Sequence, residues 1–152
     1  MSPRGEGSIE EISRLKTQFD VFRFMKGLTE IYRCRAFMVF NLPPITSSDL
    51  QSNSVINNWP AELLSIYDQE SLMATSPVLH RLRTSTLPFI YEVAASPNRE
   101  EGKSRLAVAL FERFRMTRFV YFPTHDASGL RGAICLGGDR ELFAAEEIRE
   151  LF

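Results

Sequence analysis

The chain carries few side chains able to do acid–base, nucleophilic or metal chemistry: two histidines, His80 and His125, and two cysteines, Cys34 and Cys135. A covalent catalyst needs a nucleophile held beside a base, and a metal site needs several ligands gathered around one point. The sequence has no GxSxG elbow, no glycine-rich phosphate cradle, no metal-ligand spacing and no histidine beside either cysteine. His80 falls in an apparent helix and His125 in an apparent turn, and both read as solvated surface groups. These features predict no catalytic residues, no metal and no cofactor, although folding can unite residues that are distant in sequence. Arg113, Arg115, Arg118 and the run REEGKSR at 99–105 read first as solvated helix ends that complement helix dipoles, and second as a seat for an anion.

Composition narrows the class further. A chain of 152 residues with 44% apolar content suits one domain around one substantial core. A net charge of −1 offers no overall attraction to phosphate backbones, so nucleic acid is not expected as a direct partner. The two cysteines lie in strand-like segments, RCRAF and AICLG, which fits a reducing cytoplasm better than a disulfide scaffold. The start, MSPRGEGSIEEIS, lacks the apolar run of a signal peptide, and no stretch is apolar enough to span a membrane.

Patterning supplies the elements. Apolar residues at Ile12, Leu15, Phe19, Phe22, Met25, Leu28 and Tyr32 recur at helical spacing, which predicts one helix over 9–32 opened by a capping box of Ser8 and Glu11. Consecutive apolar residues at 36–42 predict a strand covered on both faces and ended by Pro43 and Pro44. The polar stretch 46–58 suits a loop or an exposed edge strand. A helix is expected from Trp59 and Pro60 to about Leu72, and another where Ser76 caps and Pro77 enters the first turn. Residues 87–93 read as a strand. A further helix is expected with Asn98 and Glu101 as its capping box and Arg113 and Arg115 in its last turn. Strands at 118–124 and 130–137, joined by HDASG, predict an antiparallel hairpin, and a last helix begins near Phe143. Strands that are apolar on both sides need cover on both sides. The expected fold is therefore α/β: an α-β-α sandwich with a central antiparallel sheet of about five strands.

The stretch from Asn57, NNWPAELLSIYDQESLMATSPVLHRLRTSTLPFIYEV, resembles the central signature of the autoinducer-binding domain of LuxR-type transcriptional regulators. That family shows an aromatic-Pro helix start, an aromatic about eight residues on, an Asp-Pro-Val step and a Pro-Phe-x-Trp strand. Here these positions hold Trp59-Pro60, Tyr67, Ser76-Pro77-Val78 and Pro88-Phe89-Ile90-Tyr91. The segment RFVYFPTHDASGLRGAICLGG follows the family's strand, proline, glycine turn and strand. The resemblance covers essentially the whole chain, with its specific part in the central forty residues. It implies a bacterial cytoplasmic quorum-sensing domain that binds an acyl-homoserine lactone between the sheet and one helix layer. It also implies a homodimer, or a heterodimer with a related regulator. DNA is reached in that family through a C-terminal helix-turn-helix domain, which residues 1–152 do not include; the chain is then an isolated sensory domain, or a short form that acts by pairing with a complete regulator.

The resemblance also implies a ligand set, and this chain departs from it. Ser76 stands for the carboxylate that accepts from the ligand amide, and reads first as a plain helix cap ahead of Pro77. Tyr91 stands for a tryptophan, Trp59 for a donating tyrosine, and Leu63 for a second tryptophan, so one polar handle is lost. Tyr67 keeps its aromatic. Cys135 sits near a position where the family often presents a hydroxyl, and a buried structural thiol is its alternative reading. Arg115 and Phe119 replace glycines, adding bulk. Three functions follow: a sensor of altered specificity with Trp59, Leu63, Tyr67, Ser76, Tyr91 and Cys135 around its ligand, a dimerisation module whose pocket is filled by its own side chains, or, least supported, an enzyme. The sensor calls for an enclosed cavity of roughly 300 Å³ or more beside Tyr91 and Ser76.

Overall fold

The computed structural model describes residues 10, 12–42, 49–96, 102–141 and 143–152, with side chains at 74 and 75 excepted. Its elements run α1 (Gln18–Ile31), β1 (Ala36–Asn41), α2 (Leu50–Asn53), β2 (Ser54–Asn57), α3 (Ala61–Gln69), a 3₁₀ turn (Leu72–Thr75), α4 (Pro77–Thr84), β3 (Phe89–Glu92), a second 3₁₀ turn (Val93–Ala95), α5 (Gly102–Arg113), β4 (Arg118–His125), β5 (Arg131–Gly138) and α6 (Ala145–Leu151). The strands form one sheet in the order β2-β1-β5-β4-β3, with every neighbouring pair antiparallel.

Alternation along these strands sends side chains to two separate cores, as a pleat of period two must. Phe37, Val120, Phe122 and Leu136 pack on one face with Met25, Leu28 and Tyr32 of the α1 region and Ile148 of α6. Met38, Phe40, Phe119, Tyr121 and Cys135 pack on the other, under Leu63, Tyr67, Leu79, Leu82 and Phe111 of α3, α4 and α5. The three-layer sandwich expected from the doubly apolar strands is the architecture found.

The boundaries differ in five places. The helix expected over 9–32 is interrupted before Thr17, which caps α1 by accepting from Asp20 N at 3.0 Å while the Asp20 carboxylate accepts from Thr17 N at 3.3 Å. Ile12, which the periodicity places in the apolar stripe, sits in a short helical piece ahead of the break and is 52% exposed, so little burial rewards joining that piece to α1. The polar stretch at 46–58 contains a short helix, α2, before the edge strand β2. Pro60 precedes α3 as its cap residue, and α3 stops at Gln69 because Ser71 turns left-handed (φ 52°). Arg115 lies beyond the end of α5, also left-handed at φ 60°. Strand β3 covers four residues of the seven expected. Ser8, Glu11, Pro43, Pro44, Asn98 and Glu101 lie outside the described residues.

The β4–β5 turn is built by Asp126, whose carboxylate accepts from Ser128 N at 2.8 Å and Leu130 N at 3.0 Å. Gly129 there has φ 89°, a conformation that a side chain disfavours.

Candidate functional site

Between the Met38 face of the sheet and α3–α5 lies a cavity of about 50 Å³. Trp59, Tyr67, Ser76 and Tyr91 line it together with Met38, Tyr121, Ser96 and Ser104. No carboxylate, ammonium, guanidinium or imidazole is among its lining residues, as far as these are described.

Ser76 owes its place to the helix start that the Ser-Pro step predicts. Its hydroxyl accepts from Leu79 N at 3.4 Å and Pro77 occupies the first turn of α4. Burial pushes the Tyr67 phenol far above its usual range, so it stays neutral at any physiological pH. Tyr91, on β3, is raised by burial as well and its hydroxyl lies 3.0 Å from Ser96 Oγ. Tyr121 is raised well above the phenol range, again chiefly by burial. The polar wall is thus a set of neutral hydroxyls, of which those of Tyr91 and Ser96 are bonded to each other. Replacing Ser76 by Ala should cost about 1 kcal/mol through the lost cap, whereas Asp should be tolerated as an equal cap. Urea denaturation of the two variants checks this, and equal loss in both would refute the capping role.

Trp59 adds a nitrogen donor to this wall. Its backbone N donates to Asn57 Oδ1 at 3.0 Å, which fixes the turn into α3. Its indole packs edge-on to Phe111 at 6.0 Å and tilted on Phe119 at 5.7 Å. Only 8% of the residue is exposed, and its Nε1 has no hydrogen-bond partner among the described residues.

Phe119 takes the centre of this layer. It is fully buried, with ring centroids of Phe111 at 5.5 Å, Tyr121 at 5.9 Å and Tyr91 at 6.3 Å around it. It faces Gly137 across the β4–β5 pair, and a Cβ there would collide with the Phe119 ring. The glycine lets the ring lie down over the sheet.

Of the other predicted positions, Leu63 is fully buried on α3 in the same core cluster but is not part of the cavity wall. Cys135 is fully buried, pairs in register with Tyr121, and is also outside the wall. Burial drives its thiol far up. The Cys34 thiol, on the opposite side of the sheet, is pushed up to about 12 by burial. His80 and His125 are exposed, on α4 and at the end of β4. Arg113, Arg115 and Arg118 pair with Glu62 at 2.7 Å, Asp139 at 3.0 Å and Glu92 at 3.1 Å, respectively. Three or more His, Cys, Asp or Glu placed to hold a metal ion occur nowhere among the described residues. No described helix is long and apolar enough to cross a membrane.

Sequence reasoning missed Tyr121, Ser104 and Ser96 in the wall. Tyr121 was within reach, since it is two residues from Phe119 and must share its face. Ser104, Ala107 and Phe111 share a helical stripe of three- and four-residue spacing on α5. Ser96 follows a 3₁₀ turn and carries no comparable signal.

A family model described as "Autoinducer binding domain" matches residues 17–151. Among solved structures, the chain is similar to the N-acylhomoserine lactone dependent LuxR family transcription factor CepR2 from Burkholderia cenocepacia, at 15% identity and TM-score 0.76, covering 97% of this chain and 84% of that one. It is also similar to SdiA of Escherichia coli, at 13% identity and TM-score 0.69, covering 97% of this chain and 60% of that one. The phycocyanobilin-bound GAF domain of a cyanobacterial phytochrome shares the fold at 14% identity and TM-score 0.59, over 99% of this chain and 89% of that one. No sequence relative is found among curated proteins.

Proposed function

Because the chain belongs to the autoinducer-binding domain family of LuxR-type regulators, a ligand-binding rather than an enzymatic family, we propose that it is a sensory and dimerisation domain with altered or lost affinity for acyl-homoserine lactones. The observation that carries this reading is the cavity. Its volume of about 50 Å³ is well below the 300 Å³ or more usual for drug-sized ligands, and Phe119 occupies the space beside it. Loss of the carboxylate at Ser76 and of an indole at Leu63 works in the same direction, removing charge-assisted and neutral bonds alike.

In this reading the partners are a small-molecule signal and a second copy or a related regulator. DNA is contacted only through a helix-turn-helix domain outside residues 1–152, the domain acts in the cytoplasm without membrane attachment, and it performs no catalysis.

Calorimetry with acyl-homoserine lactones of four- to twelve-carbon chains is expected to give dissociation constants weaker than about 1 μM, that is, less than about 8 kcal/mol of binding free energy. Sub-micromolar binding of any of them would overturn the reading.

One packing detail favours a second reading, a ligand-independent dimerisation module. Phe119 seated over Gly137 fills the pocket with the chain's own side chain. Native mass spectrometry separates the two: a co-purified small molecule supports the sensor, and a ligand-free dimer supports the module.

A further inference from the structure

Resting on the sensor reading, we infer that the pocket selects an uncharged, slender ligand that offers a hydrogen-bond acceptor and no amide N–H, namely an ester, lactone or ketone rather than an amide. Three observations converge on this class.

The described wall carries no charged side chain, so an ionised ligand would meet no counter-charge among these residues and would enter at heavy desolvation cost. The one fully buried side-chain polar atom without a partner among the described residues is a donor, Trp59 Nε1, on a residue more than nine-tenths buried. Indole nitrogen can only donate, so a ligand satisfies it only by bringing an acceptor.

The side-chain oxygens of the described wall are all neutral. Ser76 Oγ already takes Leu79 N, and Tyr91 is bonded to Ser96. Ser104, Tyr67 and Tyr121 supply further hydroxyls, and no carboxylate stands among the described lining residues. A buried amide N–H would therefore find only neutral oxygens in this wall, whereas an ester presents the same carbonyl without that donor. The volume adds a size limit: a water needs about 10–15 Å³ on this scale, so about 50 Å³ suits a few non-hydrogen atoms.

The isosteric pair methyl acetate and N-methylacetamide tests the donor alone. Trp59 is the only tryptophan of the chain, so one indole cross-peak in a ¹H–¹⁵N spectrum reports on it directly. Methyl acetate is expected to shift that peak saturably at about one-tenth of the concentration that the amide needs. W59F should erase the ester preference. S76D, which restores a carboxylate acceptor while keeping the helix cap, should move the preference toward the amide. Equal or tighter amide binding by the unmodified domain, or an ester preference unchanged in both variants, overturns the inference. Probes that move the Ser76 and Tyr91 peaks without preferring the ester defeat the selectivity and leave the sensor standing. If neither probe moves any of these peaks, the selectivity and the sensor reading fall together.

Discussion

Replacing Phe119 by Ala is expected to destabilise the domain by about 3–5 kcal/mol and at the same time to raise its affinity for medium-chain acyl-homoserine lactones. Phe119 is fully buried among Trp59, Tyr91, Phe111 and Tyr121, so deleting its ring removes contacts on every side and enlarges a cavity that those rings already border. Gly137 supplies the control. A methyl group there would strike the Phe119 ring, so Gly137→Ala alone should cost about 1–3 kcal/mol by overpacking. In the Phe119→Ala background that collision is gone, and the same substitution should cost far less. Urea denaturation of the four proteins gives the coupling energy of the cycle. Strictly additive losses would mean that the ring does not rest on the glycine, and a pocket that gains no lactone affinity when emptied would show that bulk is not what excludes the ligand.

The layers and most elements of this fold were legible because they depend on local pattern. Continuous apolar strands such as Ala36–Asn41 demand cover on both faces, and the Asp126–Gly129 turn announces the hairpin. What pattern could not reveal was where periodicity loses to a cap. The stripe that includes Ile12 and Leu15 continues smoothly in sequence, yet Thr17 and Asp20 close a capping box that starts the helix afresh. The pocket was half legible for a related reason. The spacing of Trp59, Tyr67, Ser76 and Tyr91 marks one wall, and those four do converge on one cavity. Which hydroxyls are already paired, and that Trp59 Nε1 is left over, depends on distances between chain-distant groups that no spacing encodes.

Arg140 is expected to matter nearly as much as Phe119, on the opposite side of the sheet. Only 7% exposed, it donates to Glu147 Oε1 at 2.9 Å and Oε2 at 3.1 Å, to the Tyr32 carbonyl at 2.6 Å and to the Glu141 carbonyl at 3.0 Å, with its guanidinium 4.1 Å from the Phe143 ring centroid. Helix α6 has seven residues, too few to persist alone, so this clamp decides whether it docks. Arg140→Met keeps the bulk and removes the donors. The loss should be about 2–4 kcal/mol at pH 7, somewhat below that of a fully buried pair because the Glu147 side chain is 22% exposed and can turn to water. The effect should also depend on acidity. The hydrogen bonds from Arg140 hold the Glu147 carboxyl below the usual carboxylate range. A depressed folded value means that the stabilisation is complete above the unfolded value of about 4.3 and is lost as the pH falls through the folded one. The gap between unmodified and Arg140→Met proteins in urea should therefore be widest near neutrality and shrink steadily below about pH 4. An equal gap at pH 7 and pH 3 would mean that the guanidinium works through its carbonyl contacts and Phe143 alone.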